Sequence, residues 1–153
     1  MQKTELTATQ QEETAFRQKV GSYLVCFIDH CPLRDQCLRW LVGQYADTTP
    51  MALTAINPRN PQIGGDGCIM FRRKERALMK RGFTRLYREM PTYMEQNIRQ
   101  MLIAIFTRKK YFEMRRGDRL ITPEQQQDIL DVCRRYGWTG PIAYDGEAED
   151  WLW

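Results

Sequence analysis

The sequence predicts an α+β fold: a mainly helical single domain with a small antiparallel β element. The chain has 153 residues, of which 42% are hydrophobic and 27% charged, as expected for one globular domain. Apolar residues recur at helical spacing in the second half, and two short strand-like stretches flank a segment rich in Pro and Gly. We expect residues 1–15 to form a flexible polar leader. Residues 16–153 should form the globular domain, with an acidic, Trp-containing C-terminal tail.

Elements in the first half of the chain are short. The apolar run 23–28 suits either a buried strand or the end of a helix. A helix is predicted to begin at Pro32, because Pro is favoured in the first helical position, with Cys31 as the cap. On this helix Asp35 and Arg39 would form an ion pair one turn apart. Its apolar face would be Leu33, Cys37, Trp40 and Leu41.

The small β element is predicted between residues 51 and 72. Residues 51–56 and 68–71 have strand character, and Pro and Gly residues between them break any long helix. An antiparallel pairing of these two stretches is therefore expected.

Helical signals are stronger in the second half. Residues 74–81 predict a helix that stops at Gly82, a residue suited to the left-handed position after a helix. Pro91 opens a longer helix, whose apolar stripe is Met94, Ile98, Met101, Leu102 and Ile105. The last helix is capped by Thr122 in a capping box and ends before Gly137. Its buried face would be Ile129, Val132, Cys133 and Tyr136.

Four of the five cysteines are candidate metal ligands. Cys26, Cys31 and Cys37 follow the pattern C-x4-C-x5-C, and Cys68 comes 31 positions later. Four thiolates are the number that a tetrahedral site requires. A cysteine at a helix N-terminus, as predicted for Cys31, favours the thiolate form. Cys133 lies on an apolar helix face and is expected to be a core residue.

Zinc, an iron–sulfur cluster and a metal-free alternative all stay open. Ligand pairs in structural zinc sites are usually about two to four residues apart, and wider gaps with a Cys-Pro step also suit iron–sulfur clusters. A site of three cysteines and one histidine is disfavoured, because Leu41 stands four residues beyond Cys37 and the single His30 adjoins Cys31. In the metal-free alternative the cysteines simply pack in the core, as free cysteines commonly do.

Charge is distributed unevenly along the chain. The net charge of +4 combines −1 over residues 1–70, +10 over residues 71–119 and −5 over residues 120–153. Basic side chains neutralise phosphates and aromatic ones stack on unpaired bases, so the middle segment predicts a nucleic-acid-binding surface. The candidate contacts are Arg72, Arg73, Lys74, Arg76, Lys80, Arg81, Arg108, Lys109, Lys110, Arg115 and Arg116. The aromatic residues among them are Phe71, Phe83, Tyr87, Tyr111 and Phe112.

The basic segment is also compatible with three different roles. Its charges could form a solvated face whose aromatic residues point inward, or they could bind an acidic protein. Alternatively, the acidic end of the chain, residues 144–153, could dock on them. No RNA- or DNA-binding motif accompanies the segment.

Signals for catalysis, export and membrane insertion are weak. With one His, no G-x-S-x-G, no Walker lysine and no H-E-x-x-H, the sequence argues against an enzyme. The polar N-terminus lacks the pattern of a signal peptide, and the longest apolar runs have six residues, where a membrane span needs about 20. We therefore expect a cytoplasmic protein without a membrane partner, in which thiols or metal ligands are favoured over disulfides.

The stretch from Cys26 through the motif CPLRDQCLR, which ends at Arg39, resembles a known family when taken with Asn57-Pro58 and Cys68. This is a family of short Bacteroidetes proteins grouped as a domain of unknown function. The segments 111–117 and 122–126, with the later Tyr-Gly step, also fit, so the resemblance spans residues 23–153. It implies no activity, but it implies that the cysteine pattern C-x4-C-x5-C...C belongs to the group.

The sequence thus predicts a non-enzymatic intracellular protein with a four-cysteine site for zinc or an iron–sulfur cluster and a basic surface for nucleic acid. The first alternative is a helical protein–protein adaptor with buried structural cysteines. The second is an iron–sulfur redox or sensor protein.

Overall fold

A computed structural model describes residues 7–48 and 50–153 and confirms the α+β class. The helices in these residues are α1 (Ala8–Lys19), α2 (Leu38–Gly43), α3 (Thr92–Phe106), α4 (Arg108–Arg116) and α5 (Pro123–Arg135). The strands are β1 (Arg76–Arg81), β2 (Leu120–Ile121) and β3 (Gly146–Trp151). The chain divides into two compact units, residues 1–74 with Trp153 and residues 75–152. No helix of the described residues has the length and apolar character needed to cross a membrane.

The first unit begins with a helix. A capping box starts α1: the Gln10 amide N–H donates to Thr7 Oγ1 (3.3 Å), and the Thr7 N–H donates to Gln10 Oε1 (2.9 Å). One turn before its end, α1 buries the ring of Phe16. Over residues 8–15 the structure therefore differs from the predicted flexible leader, because the capping box and the buried ring stabilise helix there. Residues 1–6 lie outside the described part of the chain.

The helix predicted to begin at Pro32 begins at Leu38 instead. A 3₁₀ turn over residues 34–36 precedes it, in which the Cys37 N–H donates to the Arg34 carbonyl (3.0 Å). Cys37 itself is extended, with φ −104° and ψ 115°, and stands at the N-cap of α2. The prediction from Pro32 is wrong because this segment forms tighter i→i+3 hydrogen bonds and then enters an extended pairing.

Two isolated β-bridges connect segments of the first unit. Val25 pairs with Ala55 in a parallel bridge, and Cys37 pairs with Arg73 in an antiparallel bridge. The antiparallel strand pair predicted between residues 51 and 72 is wrong, because residues 51–56 pair with the earlier Val25 segment through Ala55 and residues 68–71 form no β-bridge. The small antiparallel sheet lies in the second unit.

The sheet of the second unit has the order β2-β1-β3, with both neighbours antiparallel to β1. Lys80 stands opposite Ile121 on one side and Glu147 on the other. The helix predicted over residues 74–81 is therefore wrong. Its residues have high intrinsic helix propensity, but pairing along both edges of β1 overrides that local preference.

The core of the second unit confirms α3 and α5. From the predicted stripe, α3 buries Ile98 and Leu102, and α5 buries the predicted Ile129, Val132 and Cys133. The capping box of α5 is present at Thr122. The sequence had not predicted α4 as a helix. Its N-cap, Thr107, is the only residue other than Gly with positive φ (71°) in the described chain.

Candidate metal centre and basic surface

All four candidate cysteines line one small cavity in the first unit. The cavity has a volume of about 20 Å³. Cys26 and Cys37 are buried, whereas Cys31 and Cys68 are half-buried. The rest of the wall is mainly apolar and includes Leu33, Trp40, Ile56, Met70 and Phe71. The structure thus brings together cysteines that span 43 positions of the sequence.

Cys31 and Cys37 are joined by a turn rather than by one continuous helix. In one continuous helix these residues would be separated by about 9 Å along the axis. Instead, the Cys31 carbonyl accepts the Arg34 N–H (3.2 Å) and the chain becomes extended at Cys37. Cys26 joins them because its N–H donates to the Arg39 carbonyl (3.0 Å).

Cys68 is carried to the cavity by the glycine-rich loop. Gly64 has φ +81°, and a Cβ atom there would lie 3.3 Å from the Ile28 side chain, so the loop packs closely on the segment that precedes Cys31. The Cys68 N–H donates to the Gly65 carbonyl (3.0 Å), and the Cys68 carbonyl accepts from the Phe71 N–H (3.1 Å). These turns hold Cys68 over the cavity, which also includes Gly64 in its wall.

The four thiols are not arranged as a complete set of metal ligands. All are free thiols. Burial raises the pKa of Cys26, and the charges of Cys37, Cys31 and Cys68 raise this pKa further, while a hydrogen bond from the Ile28 backbone lowers it. In residues 7–48 and 50–153, no group of three or more His, Cys, Asp or Glu side chains is arranged to hold a metal ion.

A buried arginine connects the segments that carry the cysteines. Arg39 is only 7% exposed. Its Nε donates to the Met70 carbonyl and its Nη1 to the Leu24 carbonyl, both at 2.9 Å. The guanidinium also stands 5.1 Å from the ring centroid of Tyr23. The predicted ion pair with Asp35 is therefore wrong, because Arg39 points into the unit.

The sequence analysis missed Arg39 and its neighbour Tyr23 as parts of this region. The Tyr23 hydroxyl is buried and has no hydrogen-bond partner in the described chain. Burial raises the Tyr23 pKa; Arg39 and Arg72 lower it, and Cys37 raises it. No local pattern marks either residue, since an Arg at helical spacing from an Asp normally indicates a surface pair.

Cys133 is separate from the four cysteines in the sequence and in its surroundings. It is fully buried in the core of the second unit, with Ile129 and Val132 in the same cluster. Burial raises the pKa of its thiol to about 11. Cys133 is therefore a core residue, as its place on the apolar face of α5 predicts.

Part of the basic segment is occupied by the acidic end of the chain. In the sheet, Lys80 Nζ lies 2.7 Å from Glu147, and Arg76 lies 3.4 Å from Glu149. Asp145 accepts hydrogen bonds from the backbone and side chain of Thr84, both at 2.9 Å. Although burial acts in the opposite direction, these bonds and those from the neighbouring arginine lower the pKa of Asp145. Docking of residues 145–149 thus accounts for two of the predicted nucleic-acid contacts.

The remaining predicted contacts have varied surroundings. Lys74 pairs with Glu12 (2.6 Å), and Arg81 donates to the Gly117 carbonyl (2.9 Å). On α4, Arg115 lies over the ring of Tyr87, whereas Arg116 pairs with an adjacent aspartate. Six predicted contacts are exposed and have no carboxylate within 3.5 Å among the described residues: Arg72, Arg73, Arg81, Arg108, Lys109 and Lys110.

Most aromatic residues of the basic segment point into the core. Phe83 and Tyr111 are fully buried, and Tyr87 is 6% exposed. The hydroxyls of Tyr87 and Tyr111 share a buried hydrogen bond of 2.9 Å. These three buried rings therefore cannot stack on nucleic-acid bases in this structure. Their positions in the sequence reflect packing in the core of the second unit. Phe71 and Phe112 are only partly buried.

The chain is thus an α+β protein in which four cysteines meet at one cavity. Over residues 9–153 its sequence matches a family of unknown function, DUF6078, and the chain belongs to that family. The expected membership in a domain of unknown function is confirmed, while the Bacteroidetes origin and the shared cysteine pattern stay predictions. No curated protein and no solved structure matches the chain.

Proposed function

We propose that the protein binds one zinc ion through Cys26, Cys31, Cys37 and Cys68, and that this ion holds the first unit together. The observation that carries the proposal is the convergence of these four thiols on one cavity. Four thiolates form a closed tetrahedral shell with no open position for substrate, which is typical of a structural site rather than a catalytic one.

The size of the cavity favours a single ion over a cluster. A volume of about 20 Å³ is close to what one water molecule requires. A cuboidal iron–sulfur cluster contains eight atoms and would need a considerably larger space. Zinc binding would require the four sulfur atoms to move to bonds of about 2.3 Å. Half-buried Cys31 and Cys68 lie in loops, where such adjustment costs least.

Ion binding would contribute directly to folding. The ligands come from three separate segments of a unit that has few regular elements, so the ion would replace part of the missing core. The loop between Cys37 and Cys68 would gain most, because its closure by a metal lowers the entropy of the unfolded chain.

The metal content of the purified protein tests this proposal. We expect one zinc per chain by elemental analysis of anaerobically purified protein, with no visible charge-transfer absorption. Cys68→Ser should lose the zinc, since it removes a ligand from a half-buried loop position, and Cys133→Ala should keep it.

Other results of the metal analysis would favour one of the alternative functions. Detection of iron and sulfide together with visible absorption would contradict the zinc proposal and support the iron–sulfur alternative. Absence of any stoichiometric metal, with all five thiols titratable, would contradict the proposal and favour the adaptor with structural cysteines.

A second candidate function is nucleic-acid binding at the first turn of α4. Arg108, Lys109 and Lys110 are all exposed there, and the side chain of Lys109 is 86% exposed. The acidic β3 strand pairs with residues of β1 rather than with this turn. The arrangement suits the phosphate backbone of a single strand more than its bases, because the neighbouring tyrosine is buried in the core.

A salt titration with a single-stranded oligonucleotide tests the second candidate. Replacing Arg108, Lys109 and Lys110 together by alanine should weaken binding and reduce the slope of log K against log salt by about 2, since each phosphate contributes about 0.7. The matched control replaces Arg59, Arg88 and Arg135, three exposed arginines outside the predicted contacts, by alanine and should leave the slope nearly unchanged. Equal slopes for wild type and the triple variant would dismiss the α4 turn as the contact.

A further inference from the structure

A cavity of about 230 Å³ opens at the surface of the second unit. Its wall combines an aromatic ring and three charged side chains with small apolar groups. The charged and aromatic residues are Arg85, Arg88, Glu89 and Trp138, and the apolar ones include Leu86 and Pro141. Cavities that hold drug-sized ligands usually have about 300–1,000 Å³, so this one suits a smaller molecule.

The aromatic wall is the indole ring of Trp138, which its neighbours hold in one position. A Cβ atom on Gly140 would lie 2.3 Å from Cζ2 of the ring, and 2.7 and 2.8 Å from the two ring atoms bonded to Cζ2. These nearly equal distances place Gly140 against the flat face of the ring. The ring Nε1 donates to the Pro141 carbonyl (3.4 Å), and Arg134 donates to the Trp138 carbonyl (2.6 Å). Gly140 is not part of the cavity wall, so the cavity meets the ring on another side.

Arg88 and Glu89 are the charged groups of the wall that are available to a ligand. Arg85 already donates to the Asp145 carboxylate (3.3 Å) and to the Tyr144 carbonyl (2.5 Å). Arg88 and Glu89 are exposed, and among the described residues neither side chain has an ion-pair or hydrogen-bond partner. The cavity therefore presents one free cation and one free anion beside a fixed aromatic ring.

We propose that this cavity binds an aromatic α-amino acid. The ring of the ligand packs against Trp138, its carboxylate pairs with Arg88, and its ammonium group pairs with Glu89. Aromatic pairs are favourable beyond the area that they bury, and a guanidinium matches a carboxylate through two parallel hydrogen bonds. A nucleotide is less suitable, because its phosphate would face the Glu89 carboxylate and it has no ammonium group to pair with that carboxylate.

The site goes beyond the proposed functions and does not depend on them. None of the four candidate zinc ligands lines this cavity, and none of the basic residues in the first turn of α4 does. Failure of zinc binding would therefore leave the proposal for this cavity intact, and the reverse also holds.

Equilibrium dialysis with a series of related compounds tests each group of the ligand. The probes are L-phenylalanine, 3-phenylpropionate, which lacks the ammonium group, 2-phenylethylamine, which lacks the carboxylate, and L-alanine, which lacks the ring. We expect L-phenylalanine to bind most tightly. Each compound that lacks a charged group should bind about 10–100-fold more weakly, the usual effect of losing a charge-assisted hydrogen bond.

Two substitutions at exposed positions assign the charged contacts. Arg88→Met should weaken the binding of L-phenylalanine by about 10–100-fold without weakening that of 2-phenylethylamine, which has no carboxylate to lose. Glu89→Gln should likewise weaken the binding of L-phenylalanine but not that of 3-phenylpropionate. Arg135→Met, exposed and outside the cavity wall, is the matched control and should bind L-phenylalanine like the wild type.

Four results would overturn the proposal. The first is that the wild type does not bind L-phenylalanine, and the second is that it binds L-alanine equally well, which would exclude the contact with Trp138. The third is tighter binding of adenosine monophosphate than of L-phenylalanine, which would assign the cavity to a nucleotide. The fourth is equal weakening of all three aromatic probes by Arg88→Met, since loss of a carboxylate contact cannot affect a compound that has no carboxylate.

Discussion

We expect Gly43→Ala to lower the stability of the protein and to weaken the proposed zinc site, although alanine is the better helix former. Gly43 is the last residue of α2, and a Cβ atom there would lie 2.6 Å from the carbonyl oxygen of Cys26. Because this oxygen belongs to the backbone, the segment that carries Cys26 must move. Helix propensity alone would favour alanine by about 1 kcal/mol. Overpacking typically costs about 1–3 kcal/mol, so we expect a net loss.

Urea denaturation and zinc stoichiometry measure the two effects of Gly43→Ala. The matched control is Gly21→Ala: Gly21 lies in the same unit, its φ is not positive, and a Cβ atom there would meet nothing within 4 Å. The control should therefore be neutral or slightly stabilising. If Gly43→Ala were as stable as the control and kept its zinc, the close packing of α2 on the Cys26 segment would be disproved.

Leu102→Ala should destabilise the second unit by about 2–5 kcal/mol, the usual cost of truncating a fully buried leucine. Leu102 is completely buried on α3, in the cluster that also contains Phe83, Tyr111 and Ile129. The surrounding large side chains cannot refill the space without leaving their packed positions. Since natural domains are stable by only about 5–15 kcal/mol, the loss is a large fraction of the total.

The same helix provides the control for this substitution. Ile105 belongs to the apolar stripe of α3 but is 46% exposed. Ile105→Ala should therefore cost clearly less than Leu102→Ala when midpoints of urea unfolding are compared at equal m-values. Equal costs would show that α3 does not bury the face that contains Leu102.

Local signals were enough to predict two of the helices. The capping box at Thr122 and the apolar stripe around Ile98 involve residues within a few positions of one another, so their interactions do not depend on the rest of the chain. The predicted core role of Cys133 follows from the same periodicity. These predictions agree with the structure because near neighbours in sequence determine them.

Strands and turns were predicted less well, for a physical reason. Residues 76–81 have good helix formers, but the strand receives hydrogen bonds from β3, about 70 residues later in the chain. The helix expected from Pro32 begins late because Cys37 pairs with Arg73. In each case a distant partner supplies hydrogen bonds that a window of local sequence does not contain.

The sequence alone identified the four cysteines as a set, the core cysteine apart from them, and the uneven charge of the chain. These properties depend on residue type and spacing. Only the tertiary structure decided that the four cysteines line one cavity and that Arg39 is buried, with hydrogen bonds to the carbonyls of Leu24 and Met70. It likewise decided that acidic residues of β3 pair with cations of β1. Such arrangements arise from contacts between segments far apart in sequence, and chain folding alone brings those segments together.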